Sequence, residues 1–291
     1  MYSLTPPAVS GGSWTFTNIY EFTGGNDGAS PGAGVIIGPG SVLYGTTQYR
    51  GARIKRRHSF LAESSGQPRG CVDGGHSLYF YGPPDGGEPQ ATLAIDGDGI
   101  LYGTTRYGGT AHLGVVFSLA PPAAAGGAWT ETVLYSFAGG AYGVTPSGGV
   151  LPGTGGVLYG STSGGGTANG GLVYLLTPTS GGFWTETVLR DFPKCHGQSC
   201  YPGPLAWGPN GVLYGVATRG GAQQDGSVFA LQPPATPGLP WTFVPLYSFA
   251  PPGGNFPYFG ETLAVSASGL IYGTTFQGGT GTEATVFSLH P

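Results

Sequence analysis

Charged residues are scarce in this chain. Asp, Glu, Lys and Arg make up 8% of its 291 residues, and the formal net charge is −4. A charge balance this small does not favour nucleic acid or an anionic membrane surface as a partner. No apolar run is long enough to span a bilayer, and residues 1–13 lack the basic start and apolar core of a secretory signal. We therefore predict neither nucleic-acid binding nor membrane insertion.

Helical periodicity is missing as well. The chain has 59 Gly and 26 Pro, and they separate short runs rich in Val, Tyr, Phe, Thr and Trp. Runs of this length and composition predict β-strands, and no segment has the apolar spacing of an amphipathic helix. The predicted fold class is all-β.

A Leu-Tyr-Gly-Thr-Thr motif returns about every 57 residues. Its copies, strand b of each repeat, are residues 43–47, 101–105, 158–162, 213–217 and 271–275. Strand a precedes it at 35–37, 93–95, 205–207 and 263–265. Strand c is centred on Phe117, Tyr174, Phe229 and Phe287, and strand d starts at Trp14, Trp129, Trp184 and Trp241. Four antiparallel strands per repeat predict a single five-bladed β-propeller domain over residues 1–291.

The two ends of the chain complement each other in this scheme. Residues 14–22 read as a strand d, whereas the chain ends on a strand c at 285–289 that has no strand d after it. We predict that the N-terminal strand closes the last blade. Residues 1–13 then form a leftover c-like strand and a linker.

Residues 50–81 break the pattern, because the expected Trp is missing and basic residues accumulate there. They hold six of the ten Lys and Arg, namely Arg50, Arg53, Lys55, Arg56, Arg57 and Arg69. A nucleic-acid or heparin patch is the obvious interpretation, but it is not the one that we favour. The other is out-of-frame translation, because residues 57–64 can be encoded by codons that, read one base later, give Gly-Thr-Val-Phe-Ser-Leu-Asn-Pro, the consensus of strand c. In that case His58, Cys71 and His76 do not form a site.

The order of motifs within each repeat resembles the bacterial GloVer (Gloeo/Verruco) tandem-repeat family. The resemblance is carried by Leu-Tyr-Gly-Thr-Thr, Gly-Gly, Gly-x-Val-Phe-x-Leu-x-Pro and Trp-Thr-Glu-Thr-Val-Leu-Tyr-Ser-Phe. It implies an exported or surface-anchored protein with no established catalytic residues. The departures are residues 50–81, the altered core at 214–217 and the lack of a visible anchor.

The loops from d to a and from b to c are longer and more varied than the other loops, and a blade places them on one face. Variable loops on a rigid scaffold are common places for binding sites. Aromatic rings stack on the C–H groups of sugars, and amides and Arg hydrogen-bond their hydroxyls. The candidate ligand-binding residues are Tyr107, Tyr142, His196, Tyr201, Trp207, Arg219, Phe256 and Tyr258. Alternatively, the aromatics cap the blade core, and Trp207 in strand a fills the channel instead of forming a binding floor.

Two other features have structural interpretations. Cys195 and Cys200 flank His196, and a local disulfide is favoured over a metal site because no further ligands are nearby. Residues 96–99 begin like a calcium loop but lack its later Glu, so a tight turn is favoured. The sequence predicts no metal and no cofactor.

The leading functional hypothesis is a non-catalytic extracellular module that binds a glycan or an extracellular protein. Such a protein would be secreted, periplasmic or at the cell surface, which the cysteine pair also favours. A polysaccharide-active hydrolase or lyase is an alternative, with Glu261 as the best single candidate acid. Glu131 and Glu186 recur on strands d, and we interpret them as surface pairing. A structural repeat of a larger surface protein is the third hypothesis.

Overall fold

The computed structural model describes residues 1–22, 29–49, 80, 84–124, 127–236, 238–250, 254–257, 263–278 and 284–291. Within the atypical segment 50–81, the structure describes Phe80 alone. The interpretation of this segment as an out-of-frame stretch therefore concerns residues outside the described ranges. Within the described ranges, no helix is long and apolar enough to cross a membrane.

The described chain is built from short strands and two single-turn 3-10 helices, at Pro39–Ser41 and Pro209–Gly211. The strands are β1 (Tyr2–Thr5), β2 (Thr15–Asn18), β3 (Ala29–Pro31), β4 (Ile36–Ile37), β5 (Leu43–Tyr44), β6 (Thr47–Tyr49), β7 (Ala94–Ile95), β8 (Leu101–Thr105), β9 (Val115–Ala120), β10 (Thr130–Ser136), β11 (Gly143–Pro146), β12 (Leu151–Pro152), β13 (Leu158–Gly165), β14 (Leu172–Pro178), β15 (Trp184–Asp191), β16 (Pro202–Trp207), β17 (Leu213–Ala217), β18 (Ser227–Gln232), β19 (Thr242–Ser248), β20 (Asn255–Pro257), β21 (Ala264–Val265), β22 (Ile271–Gln277) and β23 (Thr285–Leu289). The all-β prediction is confirmed for this part of the chain.

The sheets follow the sequence repeat. Repeat 2 is the sheet β7 to β10, repeat 3 is β11 to β15, repeat 4 is β16 to β19 and repeat 5 is β20 to β23. Repeat 1 comprises β3 paired with β6 and β4 paired with β5. All ladders between neighbouring strands are antiparallel, and strands a, b, c and d lie in that order in repeat 4. In repeats 2 to 5, the motif-bearing strand b is therefore flanked by strands a and c.

Strand a differs from its prediction because it is interrupted in several repeats. In repeat 5, β20 and β21 both pair with β22, and in repeat 3, β11 and β12 both pair with β13. The sequence predicted only the second piece in repeat 5 and no strand a in repeat 3. Each first piece ends at a Pro, which has no N–H to donate to the ladder.

A residue with left-handed backbone precedes this Pro in all five repeats. The five residues are Ser30 (φ 54°), Glu88 (φ 58°), Thr145 (φ 53°), Tyr201 (φ 50°) and Phe256 (φ 51°). None is Gly, although this region of φ costs other residues about 1–2 kcal/mol. The same bend recurs with five different side chains, so the repeat fixes the backbone and leaves the residue type free.

The aromatic residue of strand c packs on the Gly of the Leu-Tyr-Gly motif. A Cβ added to Gly215 would lie 2.5 Å from Phe229, and one added to Gly273 would lie 2.5 Å from Phe287. Phe117, Tyr174 and Phe229 are fully buried. The motif therefore carries Gly at this position because the ring of the next strand occupies the space of a side chain.

Neighbouring repeats are joined by aromatic pairs. In each of repeats 2 to 5, the strand c ring contacts, edge-on or at a tilt, a Phe that precedes that repeat in the chain. The pairs and their centroid distances are Phe80–Phe117 (4.8 Å), Phe137–Tyr174 (5.3 Å), Phe192–Phe229 (5.4 Å) and Phe249–Phe287 (5.1 Å). Such pairs add about 0.5–1.5 kcal/mol each beyond the burial of their area. Each pair lies in its own core cluster, and each cluster contains residues of two neighbouring repeats.

The N-terminal strand pairs differently from the sequence prediction. β2 pairs with β1 in the register Ser3↔Thr17, and β23 pairs with β22. Among the described residues, no ladder joins β2 to β23. Pairing within a short hairpin costs less loop-closure entropy than pairing across nearly the whole chain. Val286 of β23 is 80% exposed, whereas its counterparts Val116 and Val228 are fully buried.

We predict that Gly215→Ala destabilises the protein by about 1–3 kcal/mol, because the new methyl group overpacks the Phe229 ring. Urea unfolding followed by tryptophan fluorescence would measure the loss. Gly97→Ala is the matched control, since a Cβ at Gly97 has open space around it. Equal midpoints for the two variants would contradict the packing role of the motif.

Candidate functional site

The loops from d to a and from b to c lie against each other and form one surface, which we call the loop face. In repeat 2 the Tyr107 N–H donates to the Gly87 carbonyl (3.0 Å). In repeat 4 the Arg219 N–H donates to the Cys200 carbonyl (3.0 Å). The Phe256 N–H of repeat 5 donates to the Asp225 carbonyl of repeat 4 (2.6 Å). These backbone hydrogen bonds hold the predicted loops against one another.

Three of the predicted residues lie together on the loop face, and we call them the Tyr201–Arg219–Phe256 cluster. The Arg219 guanidinium carbon is 5.9 Å from the ring centroid of Tyr201 and 5.9 Å from that of Phe256. Both aromatics occupy the left-handed position before Pro described above. A cation held between two rings is a stabilised arrangement. The cluster therefore joins the d-to-a and b-to-c loops of repeat 4 to repeat 5.

The same positions carry other residues in the remaining repeats. The left-handed position holds Ser30, Glu88 and Thr145 in repeats 1 to 3, and the position of Arg219 holds Tyr107 in repeat 2. The aromatic pair around a guanidinium is thus a specialisation of repeats 4 and 5. Comparing the residues before each repeated Pro would have revealed it from the sequence.

The other predicted residues lie elsewhere. Tyr107 is half-buried beneath Arg106 (5.3 Å) in repeat 2, and Tyr142 is 48% exposed in repeat 3. Trp207 donates from Nε1 to the Pro152 carbonyl (3.0 Å) and packs edge-on against Tyr159, so it lies in the core between repeats 3 and 4. His196 is exposed on the loop beside the cluster. Tyr258 lies outside the described residues.

A disulfide joins Cys195 and Cys200, with their Cα atoms 5.0 Å apart. The Cys195 N–H also donates to the Gln198 carbonyl (2.8 Å), which closes a tight loop around His196. This loop packs on Gly220, where an added Cβ would lie 3.0 Å from the Cys195 sulfur. The disulfide loop therefore supports the backbone that carries Arg219.

A cavity of about 500 Å³ opens beside the disulfide, and we call it the repeat-4 cavity. Phe192 and Phe243 contribute apolar walls, and Arg190, Lys194 and Arg219 contribute positive charge. Its volume falls in the range of small-molecule sites. The sequence analysis proposed Arg219 but missed Arg190 and Lys194.

Arg190 is the most constrained of these cations. Its guanidinium carbon lies 4.0 Å from the Phe243 ring centroid and 5.5 Å from that of Phe192. Burial lowers the pKa of Arg190 from its ordinary value, and the charge of Asp191 opposes this shift. Arg stays protonated in proteins, so the side chain remains a cation. Its counterparts on strands d are Tyr20, Tyr135 and Tyr247, and this break in the pattern is a sequence signal that was overlooked.

The two recurring acids of strands d are not simple surface residues, contrary to the sequence interpretation. Glu186 is half-buried and accepts a hydrogen bond from the Gly143 N–H (3.1 Å). Burial raises the pKa of Glu186, and hydrogen bonds from Tyr135 and Gly143 oppose the shift. Glu131 lacks this compensation: its Oε1 is shielded from solvent and has no partner among the described residues. Burial, with a contribution from the charge of Asp85, raises the pKa of Glu131 to about 7.

We predict that Glu131→Gln removes part of the pH dependence of stability. The native pKa near 7 exceeds that of the unfolded chain, so the wild type loses stability as the pH rises from about 4.5 to 7. After a discount for partial solvent exposure, the variant should be more stable than the wild type by about 1–2 kcal/mol at pH 8 and nearly equal at pH 4.5. Urea unfolding at both pH values would test this. An unchanged pH slope in the variant would contradict it.

Comparisons with solved structures show the fold to be β-propeller-like. A gluconolactonase from Xanthomonas campestris shares 12% identity, with a TM-score of 0.50 over 91% of this chain and 77% of that one. A proposed 6-phosphogluconolactonase from Bacteroides uniformis also shares 12% identity, with a TM-score of 0.53 over 99% of this chain and 76% of that one. A search of curated protein sequences finds no match. Likeness at this identity concerns the fold alone.

No group of three or more His, Cys, Asp or Glu residues in the described ranges is placed to hold a metal ion.

The model of one sequence family matches more than half of the chain. Its match covers residues 124–291, which include repeats 3, 4 and 5. The chain therefore belongs to the Gloeobacter/Verrucomicrobia repeat family.

Proposed function

We propose that this protein is a non-catalytic, extracellular glycan-binding module that uses the loop face of repeats 4 and 5. The observation that carries the proposal is the Tyr201–Arg219–Phe256 cluster at the edge of the repeat-4 cavity. Two aromatic faces can stack on the C–H groups of sugar rings, and the guanidinium can donate hydrogen bonds to hydroxyls.

The support of the cluster favours recognition over chance exposure. Tyr201 and Phe256 stand on backbone that every repeat holds in the same left-handed conformation. The disulfide loop and the hydrogen bond from Phe256 to Asp225 fix the two loops against each other. A ligand would therefore meet side chains that are already positioned, which lowers the entropic cost of binding.

The proposed location outside the cytoplasm follows from the disulfide, since such bonds persist mainly in oxidising compartments. The lactonase names of the two similar structures are not transferred to this chain, because identity of 12% relates the folds only. A protein ligand for the same face is the second candidate, since aromatics and Arg are also enriched where proteins meet.

We expect Tyr201→Ala and Phe256→Ala each to weaken the binding of a glycan identified on an array by about 5- to 10-fold, because each removes a stacking face. Isothermal titration calorimetry with the selected glycan would measure Kd. Tyr142→Ala is the matched control, because Tyr142 is an exposed aromatic of the loop face in another repeat. Equal losses for all three variants, or no glycan bound by the wild type, would contradict the proposal.

We further propose that the five repeats form five blades of a closed ring, with β2 serving as strand d of repeat 5. The exposure of Val286 supports this, because its counterparts are buried where a following repeat covers them. By the register of repeat 3, where Leu175 faces Thr187, Ser288 of β23 would face Thr17 of β2. A closed ring therefore requires β2 to pair with β23 instead of β1.

Two cysteine pairs would distinguish the arrangements, both in a Cys71→Ser background. Thr17→Cys with Ser288→Cys should form a disulfide within one chain if the ring closes. Thr17→Cys with Ser3→Cys reports the observed β1–β2 register. Mass spectrometry after mild oxidation would identify the products. A cross-link that forms only in the pair with Ser3→Cys would rule out closure by β2.

A further inference from the structure

Positive charge in the described part of the chain is concentrated at one cavity. The chain has ten Lys and Arg, of which six fall in residues 50–81, leaving four. Three of these four, Arg190, Lys194 and Arg219, line the repeat-4 cavity, and none of the described residues that line it is Asp or Glu. In a chain with a net charge of −4, this placement is a local reversal of sign.

The acid next to Arg190 in sequence, Asp191, makes its hydrogen bonds elsewhere, although its charge still acts on Arg190. Asp191 follows Arg190 on β15, and neighbouring residues of a strand point to opposite sides. Its Oδ2 accepts hydrogen bonds from the N–H and hydroxyl of Thr167 (2.9 and 2.6 Å). Among the described residues, none of the three cavity cations has a carboxylate within ion-pair distance. Their charge therefore remains available to a ligand.

The Arg190 side chain is fixed by ring contacts, but not all of its hydrogen-bond donors have a partner among the described residues. Phe243 and Phe192 flank its guanidinium at 4.0 and 5.5 Å. Its Nε is shielded from solvent and has no hydrogen-bond partner among the residues that the structure describes. An unpaired buried donor costs free energy, and a bound acceptor would remove this cost. A guanidinium in this state suits a carboxylate, whose two oxygens match the donors of its planar fork.

The change from Tyr to Arg at residue 190 is accompanied by a second change on the neighbouring strand d, that of repeat 4. Where repeat 4 has Phe243, repeats 2 and 3 have Glu131 and Glu186. Repeat 4 thus has an aromatic ring in place of a half-buried acid. This ring contacts the residue at which repeat 3 has a cation in place of a tyrosine. A cation stacked on a ring thus stands where repeats 2 and 3 are joined by the contact between Tyr135 and Glu186. The site at repeat 4 is therefore positive where the interface between repeats 2 and 3 carries an acid.

The remaining walls fit a sugar ring. Phe192 and Phe243 are already packed against the core and Arg190, but Pro245 and Tyr247 of the lining are exposed. Gln224 offers a shielded Oε1 that has no partner among the described residues. An acceptor of this kind can take a hydrogen bond from a hydroxyl group. Apolar walls, a free amide oxygen and cations together match a ligand with a ring face, hydroxyls and a carboxylate.

We propose that the repeat-4 cavity binds the carboxylate-bearing ring of an acidic glycan, that is, a uronic acid residue. Arg190 and Lys194 receive the carboxylate, Arg219 closes the charged side, and the exposed lining at Pro245 and Tyr247 accepts the ring. This inference rests on the proposed glycan-binding function and specifies its ligand class. It predicts preference for the charged sugar over the same sugar with its carboxylate masked.

Calorimetry with trigalacturonate, its fully methyl-esterified form and dextran sulfate would test the inference on the full chain. The wild type should bind trigalacturonate at least about tenfold more tightly than the neutral ester, and the affinity should fall as NaCl is raised from 50 to 500 mM. Dextran sulfate tests whether charge alone is sufficient, and we expect it to bind more weakly than trigalacturonate.

Arg190→Met and Lys194→Met should each weaken trigalacturonate binding by about tenfold or more. Lys194 is exposed and is not part of the core, so its variant separates binding from folding. Arg106→Met is the matched control, because Arg106 is the fourth cation of the described chain and lies in repeat 2. Thermal midpoints of all variants would be measured in parallel.

The outcomes separate this inference from the function on which it rests. Equal affinity for the acid and its ester, or unchanged binding in Arg190→Met and Lys194→Met, would overturn the uronate site while leaving neutral glycan binding intact. Stronger binding of dextran sulfate would also overturn it, as charge alone would explain the cavity. Failure to bind any glycan, on an array or in calorimetry, would reject both.

Discussion

The contact between a strand c ring and a strand b glycine supports the rest of this structure. Because Gly215 has no side chain, the tip of the Phe229 ring occupies the space that a Cβ would need. The same ring then meets Phe192 of the preceding repeat at 5.4 Å. One aromatic residue therefore packs the interior of its own sheet and joins it to the previous one. Repetition of this contact builds a core from strands that are individually too short to be stable.

This core leaves the loop face free to vary. The loops of repeat 4 are held by backbone hydrogen bonds, by the disulfide and by the neighbouring repeat. Arg190 and Phe243 show that variation also reaches the outer strands. At that interface a cation on a ring takes the place of the acid found in other repeats. Binding chemistry can change there without altering the strand order.

The sequence predicted strands b, c and d well, because each has a recurrent apolar motif bounded by Gly or Pro. Strand a was incompletely predicted, since its first piece is short and its ladder is interrupted at Pro146 or Pro257. The pairing of β2 with β1 was missed for a different reason. Motif order alone cannot compare the entropy of a local hairpin with that of pairing across the chain.

The candidate site was predicted in part. Tyr201, Arg219 and Phe256 were identified as loop residues, but their meeting depends on the hydrogen bond from Phe256 to Asp225 between repeats, which no motif encodes. Trp207 was proposed for the site, yet its indole N–H is committed to Pro152. Arg190 was missed because strands d were treated as scaffold, although its departure from the recurrent Tyr is visible in the sequence.

The bend before each repeated proline has an evolutionary implication. Since five unlike side chains occupy the same strained backbone, the energetic penalty of that geometry is met by the scaffold and is nearly independent of which residue is displayed. A duplicated repeat can then acquire a new ligand preference by a single codon change at that point, with little effect on folding. Proteins built from such repeats can change the ligands that they bind more readily than they change their fold.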